Sequence, residues 1–229
     1  PLDPRIDHTI GRRGIQYLDW IEHPGKNWIR DQTYAGPYSP KKYVYYKRQE
    51  NTLTDGSSWT RGYATMNFNI LRFADVLLMA AEAEIEAGTL AKALEYVNLV
   101  RARAANPAGF VMKGGVAEAN YVIAPYTAFA DKASAQKAVR MERMLELATE
   151  GHRFFDLVRW GIAEPYLNKY LKEESVNGTD AAGRTYNKRG YLVGKTFKAG
   201  RNEYFPLPND EILNSQKGGA ATLKQNPGY

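Results

Sequence analysis

Three glutamates at four-residue spacing, Glu142, Glu146 and Glu150, are the residues best suited to acid–base chemistry in this chain. On a helix that spacing puts all three carboxyl groups on one face. Two such groups serve as general acid and general base when their surroundings drive their pKa values apart. The surroundings here argue the other way. The stretch RMERMLELATEGHRFFDLVRWG, residues 140–161, interleaves the carboxylates with Arg140, Arg143, Arg153 and Arg159. Arg143 stands three residues from Glu146, Arg153 three from both Glu150 and Asp156, and Arg159 three from Asp156. Flanking guanidinium groups keep carboxylates ionised, and arginine forms planar, bidentate pairs that tolerate partial burial. The stretch is therefore expected to be a structural lattice of ion pairs, with Phe154, Phe155 and Trp160 buried against a neighbouring helical hairpin. The alternative is a glycosidase, which needs two carboxyl groups about 5–10 Å apart and clear of arginine.

Other reactive groups are sparse. The chain has no cysteine, which excludes disulfides, thiolate chemistry and a lipidated cysteine within it. His8, His23 and His152 are too far apart in sequence to read as a metal triad. Asp7 beside His8 has no serine elbow to complete a hydrolase triad. Gly11-Arg12-Arg13-Gly14 does not fit a phosphate loop and reads as a turn.

The elements that hold these residues follow from periodicity. Residues 1–65 are rich in Tyr, Trp, Gly and Pro with frequent turn signals, and read as ordered, aromatic loops. Within them KKYVYYK, residues 41–47, reads as a short strand with Val44 and Tyr46 on one face. From Asn67 the pattern becomes helical. Asn67 or Asn69 caps a first helix, Leu71, Ala74, Leu78, Ala81 and Ile85 form its buried stripe, and Gly88 ends it. Thr89 caps a second, with Leu90, Ala93, Leu94, Val97 and Val100 inward and Pro107 beyond its end. The pair is similar to a tetratricopeptide hairpin. Only one such unit is visible, and about three are needed for stability, so further helices outside the 229 residues are expected to cover it. After a loop with a short helix, Asp131 caps a helix running to Glu150, Gly151 breaks it, and helices over 152–160 and 164–174 follow. A polar, Gly-rich excursion over 175–202 with one hairpin, an extended Phe205–Pro208 and a short helix capped by Asn209 complete the reading.

Bulk composition narrows the function. With 44% hydrophobic residues, 24% charged residues and a net charge of +6, the chain suits one large soluble domain or two small ones. Its basic residues are scattered, without the stripe that nucleic-acid binding uses, so no nucleic-acid partner is expected. The chain opens on Pro1 without a signal-like segment and is expected to be cut from something longer.

Taken together, ERMLELATEGHRFFDLVRWG resembles the C-terminal signature of the SusD/RagB family, the glycan-binding surface lipoproteins of Bacteroidetes outer membranes. NILRFADVLLMAAEAEIEAG, ALEYVNLVRARA, the late FPLP and the terminal QNPGY match that family in pattern and order, over roughly residues 66 to 229. DPRIDHTIGRRG and WIRDQTYAGPYSPKKYVY look like one subgroup of the same family. The resemblance implies a mainly α fold, a tetratricopeptide-like scaffold with long aromatic loops and a few short strands. It implies a loop-rich segment over 1–65, a helical C-terminal domain over 66–229, and a missing N-terminal half. It implies no catalysis and no cofactor or metal. The implied partners are an oligosaccharide, or a peptide, and a TonB-dependent outer-membrane barrel, with membrane contact through a lipid anchor outside this chain. A peptide- or protein-binding helical scaffold is a further alternative.

A glycan binder needs exposed rings to stack on sugar C–H faces and polar groups for the hydroxyls. Three of the four tryptophans lie in the first 65 residues. The expected ligand-binding residues are Tyr17, Trp20, Trp28, Tyr34, Tyr38 and Trp59, with Arg30 and Asp31 as hydroxyl partners.

Overall fold

The structure is a computed structural model that describes residues 1–31, 36–57, 59, 63–176, 178–179, 185–186 and 189–229. The described chain is mainly helical, and it forms two compact units, residues 1–152 and 153–229.

Three helices carry the first unit. A one-turn helix α1 (Ile6–Thr9) precedes α2 (Phe73–Ala87), α3 (Leu90–Ala105) and α4 (Lys132–Glu146). The turn between α2 and α3 is very tight. Gly88 closes α2 through its N–H to the Glu84 carbonyl, and the Thr89 hydroxyl accepts from the Lys92 N–H at 3.2 Å. Such N-caps satisfy donors that the helix leaves orphaned. The core joins Leu78, Ala81 and Ile85 of α2, Ala93, Val97 and Val100 of α3, and Ala135 and Val139 of α4. Ala81, Ala93 and Ala135 are fully enclosed, because a methyl side chain lets helix backbones approach closely.

The aromatic loops of 1–65 form two-residue ladders. Strand β1 (Ile10–Gly11) pairs antiparallel with β4 (Ser39–Pro40), and β2 (Gln16–Tyr17) with β3 (Ile21–Glu22). A further hairpin joins β5 (Met112–Lys113) to β6 (Val116–Ala117), and a 3-10 turn spans Pro107–Gly109 where a short helix is expected.

In the second unit, α5 (His152–Arg159) and α6 (Ala163–Ser175) pack Leu157, Ala163 and Phe197 into a small core with Phe154, Val158 and Leu167. A hairpin of β7 (Gly178–Thr179) and β8 (Thr185–Tyr186) follows, then α7 (Asn209–Asn214) and the pair β9 (Gln216–Lys217) with β10 (Ala220–Ala221). The terminal motif is tied to FPLP. The Gln225 side chain donates to the Leu207 carbonyl at 2.9 Å and accepts its N–H at 2.7 Å. The Tyr229 hydroxyl donates to the Tyr204 carbonyl at 3.0 Å.

Five local expectations change. Helix α2 begins at Phe73, and Leu71 is 71% exposed, because Arg72 stays extended to reach two glutamates on α4 and just beyond its end. No strand spans residues 41–47, since Tyr43 has φ +59° and breaks the extended run. Helix α4 ends at Glu146, four residues early. Leu147 leaves helical geometry, and Thr149 and Gly151 take positive φ. Asn209 is the first residue of α7 and makes no capping bond; Pro208 precedes it. Phe155 is 68% exposed, while Phe154 packs within the core of its own unit.

Candidate functional site

The three glutamates are matched by cations from across the first unit. Glu142 receives Arg5 at 2.6 Å and Arg101 at 2.8 Å. Glu146 receives Arg103 at 2.6 Å, Arg72 at 2.9 Å and Arg5 at 3.3 Å. Glu150 takes Arg72 at 2.8 Å and Lys42 at 2.6 Å. Arg143 pairs with Asp75 on α2 at 2.7 Å. Of the four spacings read from sequence, Arg159 with Asp156 forms a pair along the chain, at 2.8 Å.

This wiring sets the protonation states. Burial pushes the Glu146 carboxyl up, but Arg103 and Arg72 outweigh it and hold the group below its ordinary value. Burial likewise raises Glu150, and hydrogen bonds from Arg72 and Lys42 bring it below normal. Carboxylates held ionised from several sides are poor general acids. The arrangement locks the loops to the helices, with Arg5 and Lys42 as the loop-borne ends.

A second node fixes residues 1–17. Asp7 is fully buried, and accepts two bonds from Arg12 at 2.7 and 2.9 Å and one from the Tyr121 hydroxyl at 2.5 Å. Lys41, also buried, donates to the carbonyls of Asp7 and Gln16 at 2.6 and 2.7 Å.

The expected ligand residues fall into distinct settings. Tyr17 is only 8% exposed, and its hydroxyl donates to the Pro40 carbonyl at 2.5 Å. It is therefore corrected from a stacking surface to a supporting one. Its ring meets Trp28 edge-on at 5.3 Å, and Trp28 meets His23 edge-on at 5.2 Å. His23 accepts the Gly25 N–H at Nδ1, which places its ring proton on Nε2, facing the Ser39 hydroxyl at 2.8 Å. Trp28 stands on this base with 44% of its surface open. Tyr38, the neighbour of Ser39, is 53% exposed. Trp20 is half-buried and turned elsewhere, its Nε1 donating to the Tyr45 carbonyl at 3.0 Å and its ring edge-on to Tyr45. Arg30 and Asp31 are exposed, and Trp59 is 94% exposed on a separate loop. Tyr34 lies outside the described residues. The structure thus joins Tyr17 to Trp28 and leaves Trp20 and Trp59 apart from them.

Gly11 is the steric condition for that base. A Cβ there would lie 2.6 Å from the Tyr17 ring and 2.7 Å from the His23 ring. Gly11→Ala is expected to cost about 1–3 kcal/mol, the usual penalty of overpacking, and to shift the emission of Trp28. Urea unfolding with fluorescence detection checks both. An unchanged midpoint would mean that the two rings move aside freely.

A cleft of about 580 Å³ opens beside the lattice. Tyr43, Val44 and Tyr46 form part of its wall, and Arg103, Gly109, Glu146 and Glu150 also line it. Tyr43 stacks on the exposed Phe68 at 4.4 Å and 30°, and Arg48 lies 4.1 Å over the Tyr46 ring. The sequence reading missed this wall. Its signal was the run of tyrosines in KKYVYYK, which alternation disguises as a strand.

Fold and lattice together define a helical, tetratricopeptide-like scaffold that carries aromatic loops on a net of arginine–carboxylate pairs. The model of the SusD family matches residues 1–229, and the chain belongs to that family. SusD-like protein P25 of Formosa agariphila is 40% identical over 94 residues, covering 41% of this chain and 15% of the relative. SusD-like protein P2 of the same organism is 26% identical over 195 residues, covering 84% and 30%. A SusD homolog of Bacteroides thetaiotaomicron superposes with a TM-score of 0.60 at 25% identity, over 99% of this chain and 41% of its own. A SusD-like protein of Bacteroides fragilis shares the fold with a TM-score of 0.61 at 22% identity, over 99% and 39%. The chain therefore spans well under half the length of these relatives. Among the described residues no helix is long and apolar enough to cross a membrane.

Proposed function

We propose that the protein binds oligosaccharides without cleaving them, as part of nutrient uptake at the outer membrane. The observation that carries this reading is the contrast between its two notable clusters. The carboxylates are saturated by arginine and lysine, whereas Trp28, Tyr38 and Trp59 stand open on loops anchored to a rigid scaffold. Open rings on fixed supports suit stacking against sugar faces. Membership of the SusD family supports the same reading. In it, captured glycan passes to a TonB-dependent barrel, and a lipid anchor outside the 229 residues holds the protein at the cell surface. Trp28 and Tyr38 form the stacking surface, supported from beneath by Tyr17 and His23; Arg30 and Asp31 serve sugar hydroxyls; Trp20 and Trp59 frame the approach.

Isothermal titration against a glycan panel tests this. Each of Trp28→Ala, Tyr38→Ala and Trp59→Ala is expected to weaken binding about ten-fold, or about 1.4 kcal/mol, with the fold intact by circular dichroism. Full affinity in the triple variant would remove these loops as the site. Turnover of any polysaccharide would overturn the non-catalytic reading.

A further inference from the structure

The cleft beside the lattice has a charge imbalance that the lattice leaves over. Lys41, Lys42, Arg5, Arg72 and Arg103 line it, against Glu146 and Glu150. Some of that charge is met behind the wall. Asp3 and Glu142 also hold Arg5, and Asp7 lies under Lys41. Those carboxylates bring their own partners, Arg12 on Asp7 and Arg101 on Glu142. Glu118 adds a further carboxylate near Lys41 and Arg12, so within this network of described residues seven cations face six carboxylates. Arg103 is the exposed end of the excess. Its side chain is 59% open, and it donates to Glu146 through Nη2. Among the described residues its Nε and Nη1 make no hydrogen bond. Its Nε–H and Nη1–H groups are thus open donors for a carboxylate or a sulfate.

The same cleft also offers apolar faces. Tyr43 and Tyr46 line the cleft, the first backed by Phe68 and the second by the Arg48 guanidinium. Tyr43 adopts φ +59°, a conformation rare for a bulky residue, and such strain persists where the surroundings over-determine it. The neighbouring Lys42 is held by the Glu146 carbonyl and the Glu150 carboxylate, at 2.8 and 2.6 Å. The turn is thereby pinned, with its tyrosines along the cleft.

We propose that this cleft binds an anionic sugar unit, its ring against Tyr43 and Tyr46 and its carboxylate or sulfate ester on Arg103. This rests on the glycan-binding reading and adds to it a charged class of ligand and a second subsite, separate from Trp28.

The 229-residue chain would be titrated calorimetrically with three oligosaccharides of equal length: an oligogalacturonate, a sulfated galactan and a neutral galactan. In 50 mM salt the acidic ligands are expected to bind at least about ten-fold tighter than the neutral one. That preference should collapse in 500 mM salt, where exposed charges are screened within several ångströms. The stronger of the two acidic ligands identifies carboxylate or sulfate as the preferred group. Arg103→Gln should erase the preference, bringing the acidic ligands to the affinity of the neutral one. Equal affinity for all three, or a preference that survives Arg103→Gln, overturns the cleft assignment while glycan binding stands. Heat absent for every saccharide, from a chain folded by circular dichroism, overturns both. If Arg103→Gln fails to fold, Tyr46→Ala decides, because its ring lies outside the ion-pair lattice. About ten-fold weaker binding of acidic ligand supports the cleft, and unchanged binding overturns it.

Discussion

Replacing Glu146 by alanine is expected to lower the unfolding free energy by about 3–5 kcal/mol, the range for breaking a buried ion pair. Glu146 is 4% exposed and gathers Arg5, Arg72 and Arg103. Arg5 keeps Asp3 and Glu142, Arg72 keeps Glu150, and Arg103 can turn toward water. The main loss is therefore borne by the buried Arg5 and the partly buried Arg72. In a chain of this size the change corresponds to a fall in Tm of roughly 10 °C. Glu146→Gln separates charge from shape. It preserves volume and one oxygen acceptor but removes the charge, so its cost should lie below that of alanine. Thermal and urea unfolding of both variants measure the difference. A stability equal to the parent in the alanine variant would mean that the lattice does not fasten the loops to the helices.

Acid is expected to destabilise the same lattice. In the folded chain Glu146 and Glu150 titrate below their ordinary 4.5 and Asp3 below its ordinary 3.8, burial being outweighed in each case by bonded cations. The unfolded chain then takes up protons first as pH falls, so stability rises with pH in that range. The contribution is complete above about pH 6 and is lost as pH drops from the unfolded values through the lower folded ones. The urea midpoint should be level from about pH 8 to 6 and fall steeply below about pH 5. Glu146→Ala should flatten that fall, since it removes one of the titrating groups. A midpoint that holds level down to pH 3 in the parent would contradict the ion-pair account.

Much of the helical frame was legible because its signals are local. Gly88, Thr89 and Asp131 act within a turn of their own position, and the inward stripe of Ala74, Leu78, Ala81 and Ile85 follows from the helical period. The failures came where a distant partner overrode a local preference. Asn67 and Asn69 are competent caps, yet Arg72 leaves the helix to reach Glu146 and Glu150. Residues 41–47 alternate like a strand, but Lys41 is drawn to the carbonyls of Asp7 and Gln16, and Lys42 to Glu146 and Glu150. The ligand residues were legible by type alone. Tyr17 and Trp28 have equal claims as aromatic rings, and only packing makes one the support and the other the exposed face.

The charged stretch of residues 140–161 draws the same division. Residue types and spacing alone determined that its carboxylates would be ionised and arginine-bound, since guanidinium groups are abundant around them and always charged. Which arginines they would bind was decided by tertiary structure. Arg5, Arg72, Arg101 and Arg103 lie 41 to 141 residues away from their glutamates. A helix face can display Glu142 and Glu146 in register, but it carries no record of which loops will cross it. The pairing is set by where the chain comes to rest against α4, and the cleft exists because those loops stop at its edge.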